Sequence, residues 1–157
     1  AKLEIRKAKA EEYDQIYLLG YDVWGEGNPV QKYLDDCRSS KKYDSGEWFV
    51  LVSDSKIISA LIVYDGYFGL DNKYYGFGSI ATDLKSRKKG YAKKLIHTLC
   101  DRFKNEGVNG IYLYSDIDDE FYKKIGFSVV LSDGKSSCML NSFNKANLVP
   151  MAIPTYF

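Results

Sequence analysis

The sequence predicts a single α/β domain spanning residues 1–157, with a mixed, mostly antiparallel central sheet. Three observations carry that expectation. Residues 48–54 (WFVLVSD) and 56–66 (KIISALIVYDG) are rich in β-branched and aromatic residues, and Asp54 and Ser55 between them suit a tight hairpin. Residues 73–115 read strand, helix, strand, a crossover that sets its two strands parallel. The 157 residues suffice for one proper core, and 45% hydrophobic with 27% charged is an ordinary globular balance.

The elements follow in order. LEIRKA (3–8) alternates and reads as a strand. Residues 11–20 read as a helix, with Tyr13, Ile16 and Tyr17 at helical spacing. GYDVWGEGNPV is a loop punctuated by Gly and Pro. Pro29 suits the first turn of a second helix running to about Arg38, and SSKKYDSGE is another loop. After the hairpin, KYYGFGSIAT (73–82) reads as a long strand with two internal glycines, a sign of a bulge or close backbone approach. Ala92, Leu95, Ile96, Leu99, Cys100 and Phe103 then form one apolar helical stripe. Gly107 ends that helix, with Val108 placed for the usual hydrophobic contact. GIYLYS (110–115) is a strand, residues 118–125 a short helix stopped by Gly126, and Asp133-Gly134 a turn between two last strands. The tail from Phe143 is irregular; its apolar LVPMAIPTYF suits covering either a partner or its own sheet.

Net charge is +1, so wholesale binding to nucleic acid or an anionic membrane is not expected. No run has the length of a membrane span. The N-terminus AKLEIRKAKAEEYD lacks the apolar stretch of a signal peptide, and the missing initiator Met fits a trimmed start. Cys37, Cys100 and Cys138 are widely spaced without a CxxC pair, and His97 is the lone histidine. That pattern argues against a disulfide framework and against a metal site, and makes a cytoplasmic location the expectation. Cys37 and Cys138 read as small core residues.

Charge is nevertheless clustered. SRKKGYAKKL (86–95) holds five cations, and no Asp or Glu occurs between Asp83 and Asp101. A solvated helix face, a nucleic-acid patch and a pocket for a phosphorylated ligand all remain open on charge alone. The phosphate reading explains more. Arg87, Lys88 and Lys89 precede Gly90 at the start of an amphipathic helix that follows a strand. Helix N-termini expose unpaired N–H groups and partial positive charge, and glycine lets an anion approach the backbone. Neither the GxxxxGK[ST] nor the GxGxxG pattern is present.

The run Arg87, Lys88, Lys89, Gly90, Tyr91, Ala92 after GSIAT resembles the acetyl-CoA signature of the GNAT acetyltransferase superfamily: Arg or Gln, two residues, Gly, one residue, then Gly or Ala. FYKKIGF (121–127) resembles that superfamily's tyrosine-bearing helix and following strand, and the order of elements is similar over nearly the whole chain. The resemblance implies a GNAT-like sheet with a splayed parallel strand pair, flanked by about four helices. It implies acetyl-CoA as cosubstrate, with residues 87–92 around its pyrophosphate through backbone N–H groups. Ile80, Ala81 and Thr82 would pair with the pantetheine arm as an added strand. Gly76 and Gly78 would form the bulge that parts the strands. A backbone N–H near Ile80 or Ala81 would stabilise the developing oxyanion. Tyr122 takes the place of the general acid, against a reading as core packing.

Departures from the pattern matter as well. Many members carry an Asn after the last parallel strand; Ser115 or Asp116 stands there in this chain, and Ser115 is the candidate to replace it. No general base is evident: Tyr74 occupies the region of the family's strand glutamate, Asp83 faces the turn, and His97 reads as a partly exposed helix residue. Tyr21, Trp24 and Glu26 offer aromatics and a carboxylate to an amine, or else simply pack the loop. The expected reaction is direct transfer to a small-molecule or peptide amine in a ternary complex, by a monomer or homodimer. Lys93 and Lys94 are helix surface. The rival readings are a non-catalytic acyl-CoA sensor on the same fold, and a nucleic-acid domain built on the lysines.

Overall fold

The structure is a computed structural model describing residues 2–143 and 152–157. Among the described residues there are seven strands: β1 (Leu3–Lys7), β2 (Gly46–Ser53), β3 (Lys56–Asp65), β4 (Tyr74–Thr82), β5 (Gly110–Ser115), β6 (Ser128–Ser132) and β7 (Ser137–Ser142). The α-helices are α1 (Tyr13–Leu19), α2 (Tyr21–Trp24), α3 (Val30–Arg38), α4 (Lys41–Asp44), α5 (Tyr91–Asn105) and α6 (Asp119–Lys124). The strands form one mixed sheet in the order β1-β2-β3-β4-β5-β7-β6, mostly antiparallel, with β4 and β5 the parallel pair. The expected fold class is therefore the observed one.

The chain divides into two compact units, Ala1–Val63 with Ser79–Ile96, and Tyr64–Gly78 with His97–Phe157. In the first, β1 pairs antiparallel with β2, Leu3 opposite Ser53 and Lys7 opposite Phe49. Val50, Leu51, Leu61, Ile62, Leu95 and Ile96 are among its fully buried apolar side chains. Asp54 (φ 50°) and Ser55 (φ 67°) both take the left-handed conformation of a two-residue hairpin, as their position between β2 and β3 requires.

Two stretches expected as loops contain short helices. In GYDVWG, Gly20 and Gly25 bracket α2, and the Trp24 N–H donates to the Gly20 carbonyl at 2.8 Å. The Trp24 ring lies so close over Gly20 that a Cβ there would sit 2.1 Å from it. In SSKKYD, the Ser40 hydroxyl accepts from the Tyr43 N–H at 3.2 Å and starts α4. Both helices have four residues, too short for periodicity to reveal. They raise the helix number from about four to six.

In the second unit, Phe77, Leu99, Ile111, Leu113, Phe127 and Met139 are buried. Gly107 (φ 93°) ends α5, and the Val108 N–H donates to the Phe103 carbonyl at 2.9 Å, the expected closure. Gly126 (φ 106°) follows α6 as expected. β6 is a solvent-exposed edge strand. Of the apolar tail, LVPM lies outside the described residues. The remainder covers the strands of its own unit: Phe157 is 5% exposed and packs against Tyr64, Phe68 and Tyr114 with ring centroids 5.4–5.6 Å apart. The Thr155 N–H donates to the Phe68 carbonyl at 2.7 Å.

Gly76 makes room for that tail. A Cβ on Gly76 would meet the Phe157 ring at 2.6 Å, and its φ is not in the left-handed region. Gly76 stands inside the regular ladder, opposite Tyr112, rather than at a bulge, and Gly78 directly follows the ladder's last pair. The left-handed residue in β4 is Ser79 (φ 43°), and the recorded β4–β5 ladder closes at Phe77 opposite Leu113, just before it. The three cysteines are free and buried. Among the described residues, no helix is long and apolar enough to cross a membrane.

Candidate active site

In the first unit, the segment from the end of β4 to the start of α5 is pinned on one side and open on the other. The Asp83 N–H donates to the Ile58 carbonyl at 2.7 Å. The Ser59 hydroxyl donates to the Ala81 carbonyl at 2.9 Å and lies 3.0 Å from the Thr82 hydroxyl. Ile80 and Ala81 are half-buried and Thr82 is buried, so the strand end has little freedom.

The turn that follows has unusual backbone. Arg87 is extended (φ −69°, ψ 156°), whereas Lys88 (φ 63°) and Gly90 (φ 84°) are left-handed. A non-glycine residue takes that conformation at a cost of about 1 kcal/mol, so Lys88 stores a little strain there. The N–H groups of Lys88, Lys89, Gly90, Tyr91, Ala92 and Lys93 meet no acceptor among the described residues, while the Lys94 N–H donates back to the Gly90 carbonyl at 3.0 Å. Six unpaired donors in sequence at a helix start are a backbone pattern that can receive an anion. Nothing lies within 4 Å of a Cβ built on Gly90, so the side it would occupy is open. The lysines contribute less: Lys88, Lys89, Lys93 and Lys94 are exposed and form no ion pair among the described residues.

Arg87 behaves differently from its neighbours. Its Nε donates to the Thr82 carbonyl at 2.9 Å, and its two terminal nitrogens grip the Asp22 carboxylate at 2.8 and 3.0 Å. The grip holds the Asp22 carboxyl below the usual carboxylate range and raises the guanidinium further above its own. Asp22, on α2, was not among the residues singled out from the sequence. It stands 65 positions from Arg87, beyond any local pattern.

The other α2-side candidates are only loosely organised. The Tyr21 hydroxyl donates to the Asn28 carbonyl, and its ring lies 5.1 Å from that of Tyr33, which is the packing alternative. Trp24 stays 41% exposed, and Glu26 is exposed with left-handed backbone (φ 52°). Tyr43, on α4, and Ser79 form a further pair that sequence reading missed, with their hydroxyls 3.1 Å apart.

Two candidates belong to the second unit. Ser115, the last residue of β5, is 3% exposed, and its hydroxyl makes no hydrogen bond of ordinary geometry among the described residues. The nearby Asp119 carboxyl is held below its usual range, chiefly by the Ser137 hydroxyl at 2.7 Å and next by that of Ser115. Tyr122, on α6, packs edge-on against Phe121 and Phe127 at 5.1 and 6.2 Å. Asp118 caps the helix by accepting from the Phe121 N–H at 3.1 Å. The Tyr122 hydroxyl has no partner among the described residues. Burial first, then the charges of Asp118 and Asp116, push its phenol up to about 12. It is a proton donor throughout the neutral range. His97 is exposed, and Asp83 accepts from the Ser86 hydroxyl at 3.3 Å and faces Lys56 at 3.7 Å. Neither is a base held ready.

A family model described as an acetyltransferase (GNAT) domain matches residues 4–130. Solved structures share the fold. A GNAT family acetyltransferase from Brucella melitensis in complex with acetyl-CoA has a TM-score of 0.68 at 18% identity, covering 99% of this chain and 96% of that one. The PaiA N-acetyltransferase from Thermoplasma acidophilum in complex with coenzyme A has a TM-score of 0.63 at 17% identity, over 90% and 99%. The ribosomal-protein-S18-alanine N-acetyltransferase from Escherichia coli has a TM-score of 0.64 at 15% identity, over 94% and 99%. No curated protein matches the chain by sequence.

Proposed function

The chain belongs to the GNAT acetyltransferase family, and from that premise we propose that it transfers an acetyl group from acetyl-CoA to an amine by direct attack in a ternary complex. The observation that carries the reading is the turn at residues 87–92: six consecutive unpaired N–H groups at the start of α5, open on the side of Gly90. That surface suits the diphosphate of CoA, and its hydrogen bonds come from main chain, so Lys88 and Lys89 act as background charge. Ile80, Ala81 and Thr82 follow the end of the β4–β5 ladder, an edge suited to an extended pantetheine arm. Tyr91 and Ala92 continue the turn into the helix. Ser115 offers its buried hydroxyl as a further contact to the donor.

The donor supplies an activated thioester carbonyl. The amine lone pair attacks its carbon, the C–S bond breaks, and the thiolate takes a proton. We assign that proton to Tyr122, whose raised phenol stays protonated at neutral pH and whose hydroxyl is uncommitted. A cationic acceptor first loses its ammonium proton to solvent to free the lone pair, and the surplus proton of the adduct passes to solvent as well. Trp24 and Glu26, with Tyr21 behind them, supply aromatic surface and negative charge to a cationic acceptor.

The test has two arms, CoA binding by calorimetry and thiol release with a panel of amines. Binding with amine-dependent thiol release supports the enzyme. Binding with no turnover on any amine turns the reading to a non-catalytic acyl-CoA sensor. Steeply salt-dependent DNA or RNA binding that CoA does not displace turns it to the lysine cluster instead.

A further inference from the structure

Arg87 opens the signature turn, and as a cation it is the obvious phosphate ligand. Its hydrogen bonds say otherwise. Nε is committed to the Thr82 carbonyl, and both terminal nitrogens are committed to Asp22. We propose that Asp22 is a positioning residue for donor binding: its two-bond grip on Arg87 holds the turn in its anion-receiving shape and ties it to α2.

The turn requires such an anchor. The turn takes left-handed backbone at both Lys88 and Gly90, and at Lys88 that conformation is disfavoured. After the turn, the helix bond from Lys94 to Gly90 holds the chain. Before it, the bond from the Ser86 N–H to the Asp83 carbonyl does so at 2.8 Å. Between these, Arg87 supplies the side-chain attachment among the described residues, since Lys88 and Lys89 are exposed and unpaired. A planar guanidinium held at three points fixes its backbone far better than a single contact does.

The pair does not read as a device for stability. Arg87 and Asp22 are 31% and 40% exposed, and solvent-exposed pairs of this kind contribute little to folding. The grip also has a second consequence. Asp22 shares the four residues of α2 with Tyr21 and Trp24, the acceptor-side candidates. The grip therefore ties the turn to the element that carries those candidates.

The proposal rests on the reading of residues 87–92 as the diphosphate site, and the experiment separates the two. Kinetics are measured with acetyl-CoA and with S-acetylpantetheine, which lacks the diphosphate, for wild type, Asp22→Asn, Arg87→Lys and the double variant. CoA binding is measured by calorimetry in parallel, with Gly90→Val as a control. The expected result is about a tenfold weaker CoA affinity in Asp22→Asn, and a similar fall in the ratio of kcat/KM between the two donors. Arg87→Lys keeps the charge but loses the fork, so it should match Asp22→Asn, and the double variant should be no worse than either. Tm should move by no more than about 3 °C. Equal losses on both donors, or unchanged CoA affinity in Asp22→Asn, overturn the role of Asp22. CoA binding by Gly90→Val equal to wild type overturns the reading of the turn itself.

Discussion

Gly90 and Gly76 are both glycines next to backbone that matters, and they are there for opposite reasons. Gly90 is left-handed (φ 84°) with open space around it. Gly76 has no such conformation but a crowded neighbour, the Phe157 ring, 2.6 Å from where a Cβ would sit. One region is kept open and rich in unpaired donors. The other is filled: the Tyr114 hydroxyl donates to the Pro154 carbonyl, and the Tyr156 hydroxyl donates to Asp116 at 2.9 Å. Open polar backbone is the mark of a place that receives something, whereas an aromatic plug held by the Tyr114 and Tyr156 hydroxyls is the mark of structure.

The comparison breaks first at Gly76. Gly76→Ala must expel the Phe157 ring and should cost about 3 kcal/mol, and Phe157→Ala should cost about as much by emptying the same place. The double variant should cost little more than Phe157→Ala, because the added methyl then has room. Urea unfolding at constant m-value measures all three, and strict additivity would show that the ring is not what Gly76 accommodates.

Tyrosines sharpen it next. Tyr122→Phe should lower kcat about a hundredfold with CoA affinity held within about twofold, since only the proton donor is lost. Tyr114→Phe removes a hydroxyl that is already engaged, and should instead lower stability by about 1 kcal/mol. If kinetics and melting assign the two the other way round, the division into open and filled regions is wrong.

At Gly90, a side chain meets strain rather than a clash. Gly90→Val should weaken CoA binding about thirtyfold, through both lost backbone shape and a blocked surface, and lower stability by about 1–2 kcal/mol. Lys94→Ala, one turn on and exposed, should change affinity by less than about twofold. Equal effects would return the site to a simple charge patch.

The filled regions also set the alkaline limit. Burial pushes the phenols of Tyr17 and Tyr114 up to about 12. A raised folded value means the neutral form is favoured by folding. Stability from these groups is whole below about pH 10, where the unfolded phenols stay protonated, and is lost as pH climbs through 12. Unfolding free energy should stay level toward pH 10 and fall beyond it, with phenolate absorbance rising alongside. A rise in phenolate well below pH 10 without unfolding would show that these phenols are not buried as described.

Local order determined most of what the sequence shows by itself. The apolar stripe from Ala92 to Phe103, the turn at Asp54 and Ser55, and the stops at Gly107 and Gly126 are written in neighbours a few positions apart, where helix and turn geometry act. The backbone of the turn at residues 87–92 was legible for the same reason, because it is set by Gly90 and the helix that follows. Tertiary structure alone decided the rest. The tie from Arg87 to Asp22, the pairing of Ser79 with Tyr43, and the reason for Gly76 all depend on residues tens of positions away. A glycine reads the same on the page whether it permits a conformation or yields space to a ring. Only the neighbours brought by folding distinguish the two, because steric exclusion and hydrogen bonding act over a few ångströms of space and are indifferent to distance along the chain.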